Sequence, residues 1–261
     1  MIDVAVIELV GGGAAEACAA ALAGEAAGPV AIERRAPGDP VPARRRRAAE
    51  RGTAPAVLLV EDTTRLAPGW AAALAGAFAD PAVAAAWGPV AVEPALPARF
   101  RALGRLEYGR FDGTRPAAAP PGNAFAVRRA DLLAVLGSGE GVVEHEVAAR
   151  LAARGRAVRM LPALRSLYAA PDPHGARLAT RFGHGRLYGS GRGGGRALGA
   201  ARAALAPPVL ALRALRAARA AGGPGLWLPE LPWILAMSAA WGAGELAGQV
   251  LGPGRSGESW T

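Results

Sequence analysis

The chain has 261 residues and a formal net charge of +9, long enough to bury one sizeable α/β core with a small appendage. All 30 of its basic residues are arginine, and Asn123 is the only asparagine, a bias of the kind a GC-rich genome produces; the basic excess favours nucleic acid, nucleotides or an anionic membrane surface without choosing among them. Cys18 is the only cysteine, which excludes an internal disulfide or a cysteine zinc cluster and fits a reducing compartment.

The opening MIDVAVIELV lacks a basic n-region and enters a strand pattern at once, so no secretory leader is expected. Ile2–Val10 reads as a strand, Gly11-Gly12-Gly13 as a turn, and an alanine-rich helix follows to about Gly24. The glycines fit neither GxGxxG nor GxxxxGK[ST], so a plain tight turn is expected. Pro29–Arg34 reads as a second strand, residues 36–40 as a loop, and ARRRRAAERG as a short helix. Arg44–Arg47 spread round that helix, so they read as a solvated face, with phosphate contact as the minor alternative. Val57–Val60 is a continuous apolar run that suits a strand buried on both faces. It ends in Glu61, Asp62, Thr63 and Thr64, and Pro68-Gly69-Trp70 then opens a helix to Ala79. Open α/β sheets place ligands at such strand ends; solvated strand-end acids or a helix N-cap are the plainer alternative. Val83–Val92 returns as one strand bent at Gly88-Pro89. The order β-α-β-α-β-α-β predicts a mostly parallel sheet with helices on both faces.

Residues 98–111 read as helical, and a proline-rich stretch follows to Pro121. Gly122–Val127 is a short strand after a turn, Arg128–Leu133 begins a helix, and residues 137–141 form a flexible loop. Glu144–Gly155 is an amphipathic helix with Val147 and Leu151 toward the core. Its first turn holds Glu144, His145 and Glu146, acids that the helix dipole favours there. Val158–Leu161 is a last strand. His174 and His184 stand alone, and structural roles are expected for both. Gly189–Gly195 reads as a hinge, dividing a domain at 1–188 from a helical tail at 197–261. In the tail, VLALRALRAARA with Arg213, Arg216 and Arg219 is a basic amphipathic pattern of membrane-surface type; a cover helix over the sheet is the plainer reading. Leu226–Leu251 is the most apolar stretch, with Trp227, Trp233 and Trp241, interrupted by Glu230 and Glu245. A helix pair resting in a membrane leaflet through 205–251 is expected, with a soluble core helix as the rival; a span is possible in length only if Glu245 is buried in lipid. No RNP-like aromatic series, helix-turn-helix or zinc spacing is present, so nucleic acid is not an expected partner.

Four segments in this order, VLLVEDTTRLAPGW, DPAVAAAWGPV, GNAFAVRRADLLAVLG and VEHEVAARLAARGRAVRMLPALRSLY, resemble the family 2 inverting glycosyltransferases of the GT-A fold. The likeness runs from about Val4 to Tyr168. It implies a Rossmann-like α/β domain that moves a sugar from a nucleotide-sugar donor to a glycan or lipid-linked acceptor. Glu144 would be the catalytic base, with Glu146 in reserve. Glu61 and Asp62 would hold Mg²⁺ or Mn²⁺ and the donor. Glu33, Arg181 and Arg186 would complete the donor site, and Asn123 would recognise an acceptor hydroxyl. The resemblance also implies cell-envelope polysaccharide synthesis at the cytoplasmic face of the inner membrane, peripheral or single-span, with a soluble cytoplasmic protein as the alternative. The family's Asp-x-Asp appears here as Glu61-Asp62-Thr63, with threonine, a poor ligand for a hard cation, at the usual direct metal position. Its Glu-Asp pair on the later helix appears as Val143-Glu144, and a histidine common after the last strand aligns with Tyr168, near His174. These departures give the alternative of a fold with lapsed chemistry, a binding or scaffold protein at the membrane.

Overall fold

The computed structural model describes residues 1–26, 28–36, 38–113, 119–191, 196–221 and 228–254. Its first elements are β1 (Ile2–Ile7), α1 (Ala14–Ala23), β2 (Val30–Glu33), α2 (Val41–Arg51), β3 (Ala56–Glu61), β4 (Thr64–Leu66), α3 (Trp70–Ala79), β5 (Val83–Trp87), β6 (Val90–Val92) and α4 (Ala98–Tyr108). They are followed by β7 (Ala124–Arg128), α5 (Arg129–Val135), α6 (Glu144–Ala153), β8 (Ala157–Met160), β9 (Ser166–Tyr168), α7 (Leu178–Gly191), α8 (Arg196–Ala221) and α9 (Leu231–Leu251). The chain forms two units, one of Met1–Glu93 with Phe111–Ala170, the other of Pro94–Arg110 with the chain from Pro171 onward. The boundary therefore differs from a single cut near 188: α4 and α7 belong with the C-terminal helices.

The first unit is mixed α/β around a mostly parallel six-stranded sheet of order β2-β1-β3-β7-β5-β8. β1 pairs parallel with both β2 and β3, and β5 with β8, while β7 runs antiparallel between β3 and β5. All six residues of β3 are buried, as its unbroken apolar run requires of a central strand. Side chains alternate across the sheet. Val4, Val6, Leu58, Val60, Ala124 and Ala126 share one face, packed with Cys18 and Leu22 of α1 and Trp70 and Leu74 of α3. The intervening residues, Ile7, Val57, Leu59 and Phe125, are buried on the other face. The chain leaves β1 for β2 on one side and returns to β3 on the other, which makes the β1/β3 boundary a topological switch point.

Val83–Val92 is two strands. Gly88 turns the chain so tightly that a Cβ there would fall on the carbonyl of Leu164, and β6 joins a second sheet of order β4-β9-β6. β4 and β9 hold three residues each, too few to show a period of two in sequence.

The second unit packs α4, α7, α8 and α9. Ala102, Ala211, Ala214 and Ile234 form its small core with Leu106 and Leu215. Gly189–Gly191, expected in a hinge, form the last turn of α7, because Gly189 lies directly against the backbone of Glu245. The rest of that hinge, residues 192–195, and Trp227 lie outside the described residues. No helix among the described residues is long and apolar enough to cross a membrane.

Candidate active site

The strand end at 61–62 divides between the two faces of the sheet. Successive strand residues point oppositely, so Glu61 turns toward α2 and α6 while Asp62 turns toward α1 and the loop after β1. On the first side, Arg45 of α2 binds two carboxylates from distant parts of the chain. Its Nη1 lies 2.6 Å from Glu144 Oε1 and its Nη2 lies 2.8 Å from Glu61 Oε1. Nη2 also donates to the carbonyl of Gly122 at 2.8 Å. A Cβ on Gly122 would lie 3.5 Å from Arg45, 3.6 Å from Glu61 and 3.7 Å from Glu144, so all three groups converge beneath that glycine. Burial lifts the Glu144 carboxyl to about 7; Arg45 opposes the rise and the Glu61 charge adds to it.

The arginine run is not a solvated face. Arg44 and Arg45 are buried at 0% and 4% exposure, because the phase of α2 turns this pair onto the sheet; Arg46 pairs with Glu50 and Arg47 with Asp39. Arg44 Nη1 donates to the carbonyl of Glu8, just past β1. Its Nε and Nη2 make no hydrogen bond among the described residues, and burial lowers the guanidinium's pKa. Such paired cations at the β1/β3 edge are the feature that the sequence pattern missed. The only signal was four adjacent arginines one helix before an acidic strand end.

On the opposite side, Asp62 Oδ2 accepts a hydrogen bond from Val10 N–H at 3.1 Å. Burial raises its pKa, and the backbone N–H groups of Val10, Leu9 and Gly11 oppose that rise. Gly11, Gly12 and Gly13 all have positive φ, 76°, 62° and 87°, a run that side chains rarely follow. Asp62 thus anchors the turn between β1 and α1. It also lines a small cavity of about 130 Å³ with Ala14, Cys18, Thr63, Thr64 and Ala169. Cys18 Sγ donates to the Thr64 carbonyl at 3.3 Å; burial, with the Asp62 charge, pushes the thiol up to about 12.

Glu33, at the end of β2, is buried and bound by Arg51 at 2.6 Å. Glu146, two residues along α6 from Glu144 and so on another side of the helix, is exposed and lies 3.7 Å from Arg150. Asn123 is fully buried, its amide donating to Thr64 Oγ1 at 3.3 Å and Ser166 Oγ at 3.0 Å. Its carbonyl accepts the Glu61 N–H at 2.9 Å, so it fixes the strand end that carries Glu61. In the second unit, Arg181 pairs with Glu107 and stands 4.8 Å over the Trp241 ring. There too Arg186 donates to the Gly252 carbonyl at 2.9 Å, and burial lowers His184 to about 4.

Glu61 and Asp62 do not converge on one divalent ion, although the buried Asp62 Oδ1 makes no hydrogen bond among the described residues. One carboxylate is bound to a guanidinium and the other to backbone N–H groups on the opposite face. No cluster of three His, Cys, Asp or Glu suited to a metal occurs among the described residues.

No family model matches the chain, and no curated protein matches it. Among solved structures it is similar to the mannosyltransferase PcManGT from Pyrobaculum calidifontis, determined in complex with GDP-Man and Mn²⁺. The identity is 17%, the coverage 92% of this chain and 73% of that one, and the TM-score 0.43.

Proposed function

We propose that the chain is an inverting glycosyltransferase of the GT-A kind, moving a sugar from a nucleotide-sugar donor to a hydroxyl of a glycan or lipid-linked acceptor. One observation carries the reading. Glu61 and Glu144, far apart in sequence, share one guanidinium at the carboxyl edge of the sheet, beside the β1/β3 switch point. In the ordered motif series these are the strand-end acid and the helix acid.

Glu144 is the base. It takes the proton of the acceptor hydroxyl as that oxygen attacks the anomeric carbon, and the nucleoside diphosphate leaves from the opposite face. A carboxylate lifted to about 7 is poised for proton transfer near neutral pH. Arg45 holds it in place between turnovers. Negative charge gathering on the leaving diphosphate must be met by fixed positive groups. Arg44, with two unused nitrogens at the end of β1, supplies that charge in place of a metal bound by Glu61 and Asp62.

A second reading, a nucleotide-sugar-binding protein without turnover, is favoured by Thr63 at the third acidic position and by the closure of Arg45 on both carboxylates. Calorimetry with a panel of UDP- and GDP-sugars, with and without Mn²⁺, separates the two when paired with a transfer assay. Binding with release of nucleoside diphosphate and transfer to an acceptor supports the enzyme. Binding without release supports the second reading, and absence of binding overturns both.

A further inference from the structure

The second unit leaves much apolar surface exposed. Of the 14 large apolar side chains exposed among the described residues, 12 belong to it. Leu205, Val209 and Leu212 are exposed on α8, and Leu235, Leu246, Val250 and Leu251 on α9, with Leu251 at 70%. Meanwhile Glu230 and Glu245 are both 2% exposed and Ser238 is 1% exposed. Leu235, Ala239, Ala243, Leu246 and Val250 recur at spacings of three and four, so they form one stripe along α9. The only ionisable residue of α9 is Glu245, on the buried arc. That arc packs backbone to backbone against α7. A Cβ on Gly244 would fall on the Phe182 carbonyl and one on Gly248 on that of Arg186, while Gly185 and Gly189 lie on the carbonyls of Trp241 and Glu245. Reciprocal small-xxx-small contact is how helices associate where lipid, not water, surrounds them.

Charge selects the occupant. α8 contains no acid. Arg213, Arg216 and Arg219 are exposed and continue the line of Leu205, Val209 and Leu212 one to two turns on. A second copy docked through the same face would bring like charges together across a two-fold axis. An anionic bilayer would pair them with lipid phosphates.

We propose that the second unit is a monotopic lipid-binding module. The exposed stripes of α8 and α9 enter the headgroup and upper acyl region of an anionic leaflet, and Arg213, Arg216 and Arg219 bind its phosphates. The helices lie along the interface, as amphipathic helices of this kind do. The proposal goes beyond the transferase reading and does not depend on it.

Flotation of the full chain with vesicles tests it. Vesicles of phosphatidylcholine mixed with phosphatidylglycerol carry the protein upward, and raised salt weakens the association. Phosphatidylcholine alone binds far less. The combined R213Q/R216Q/R219Q variant partitions about a hundredfold more weakly onto the anionic vesicles. Leu235→Glu with Leu246→Glu, and separately Leu205→Glu with Leu212→Glu, abolish flotation; these are surface positions, so circular dichroism and melting remain those of the wild type. Absence of flotation by folded wild-type protein overturns the proposal. Equal binding to both vesicle types, unaffected by the arginine variant, overturns its anionic specificity. A wild-type dimer that Leu246→Glu converts to monomer, without vesicle binding, reassigns the face to contact between copies and overturns it as well.

Discussion

Glu144 and Cys18 show how burial sets the chemistry of single residues here. Glu144 holds its proton more tightly folded than unfolded, since its carboxyl is lifted from 4.5 to about 7. Its contribution to stability is therefore complete below about 4.5 and is lost as pH rises through 7. Glu144→Gln, neutral at every pH, should be more stable than wild type above pH 7 by roughly 1–3 kcal/mol. The gap should close toward pH 4.5, read from urea midpoints across that range. Cys18 is held the other way, as an inert thiol. With its pKa pushed up to about 12 and its Sγ on the Thr64 carbonyl, it should resist iodoacetamide at mildly alkaline pH. Reaction should begin only as urea unfolds the chain, which mass spectrometry of the labelled protein would show.

Among the elements, the α7–α9 contact depends on the absence of side chains. Gly244→Ala places a methyl on the Phe182 carbonyl and should cost about 1–3 kcal/mol. Ala243→Leu, one residue along on the exposed arc, should change stability by less than about 0.5 kcal/mol. Thermal melts of the two variants make the comparison. Elements were legible in the sequence where a pattern was long. β3 announced itself by an unbroken apolar run, α3 by Pro-Gly-Trp, and α6 by Val147 and Leu151. β4 and β9 were not, because three residues carry no period, and β6 was hidden because Gly88 redirects it in a stretch that reads as continuous. Much of the site was equally legible at Glu61 and Glu144. The division between Glu61 and Asp62 follows from strand alternation, yet as letters the two acids read as one cluster. The arginine run was misread because helix composition does not reveal which side of α2 meets the sheet; only tertiary packing selects Arg44 and Arg45.

Taken whole, the chain carries two units that expose their apolar side chains to different extents. The first buries its apolar residues around a sheet and brings Arg45, Glu61 and Glu144 together at the carboxyl edge of it. The second buries Glu230 and Glu245 and exposes leucines and arginines, and under the lipid-binding proposal part of the +9 charge would face anionic lipid. Sugar transfer as proposed needs Glu144 as its base, and the decisive measurement is turnover by Glu144→Gln. Once the donor is identified, the variant should bind it with wild-type affinity while kcat falls by about 10²–10⁴-fold, the Gln amide keeping a polar group beside Arg45. Wild-type turnover in Glu144→Gln would contradict the account.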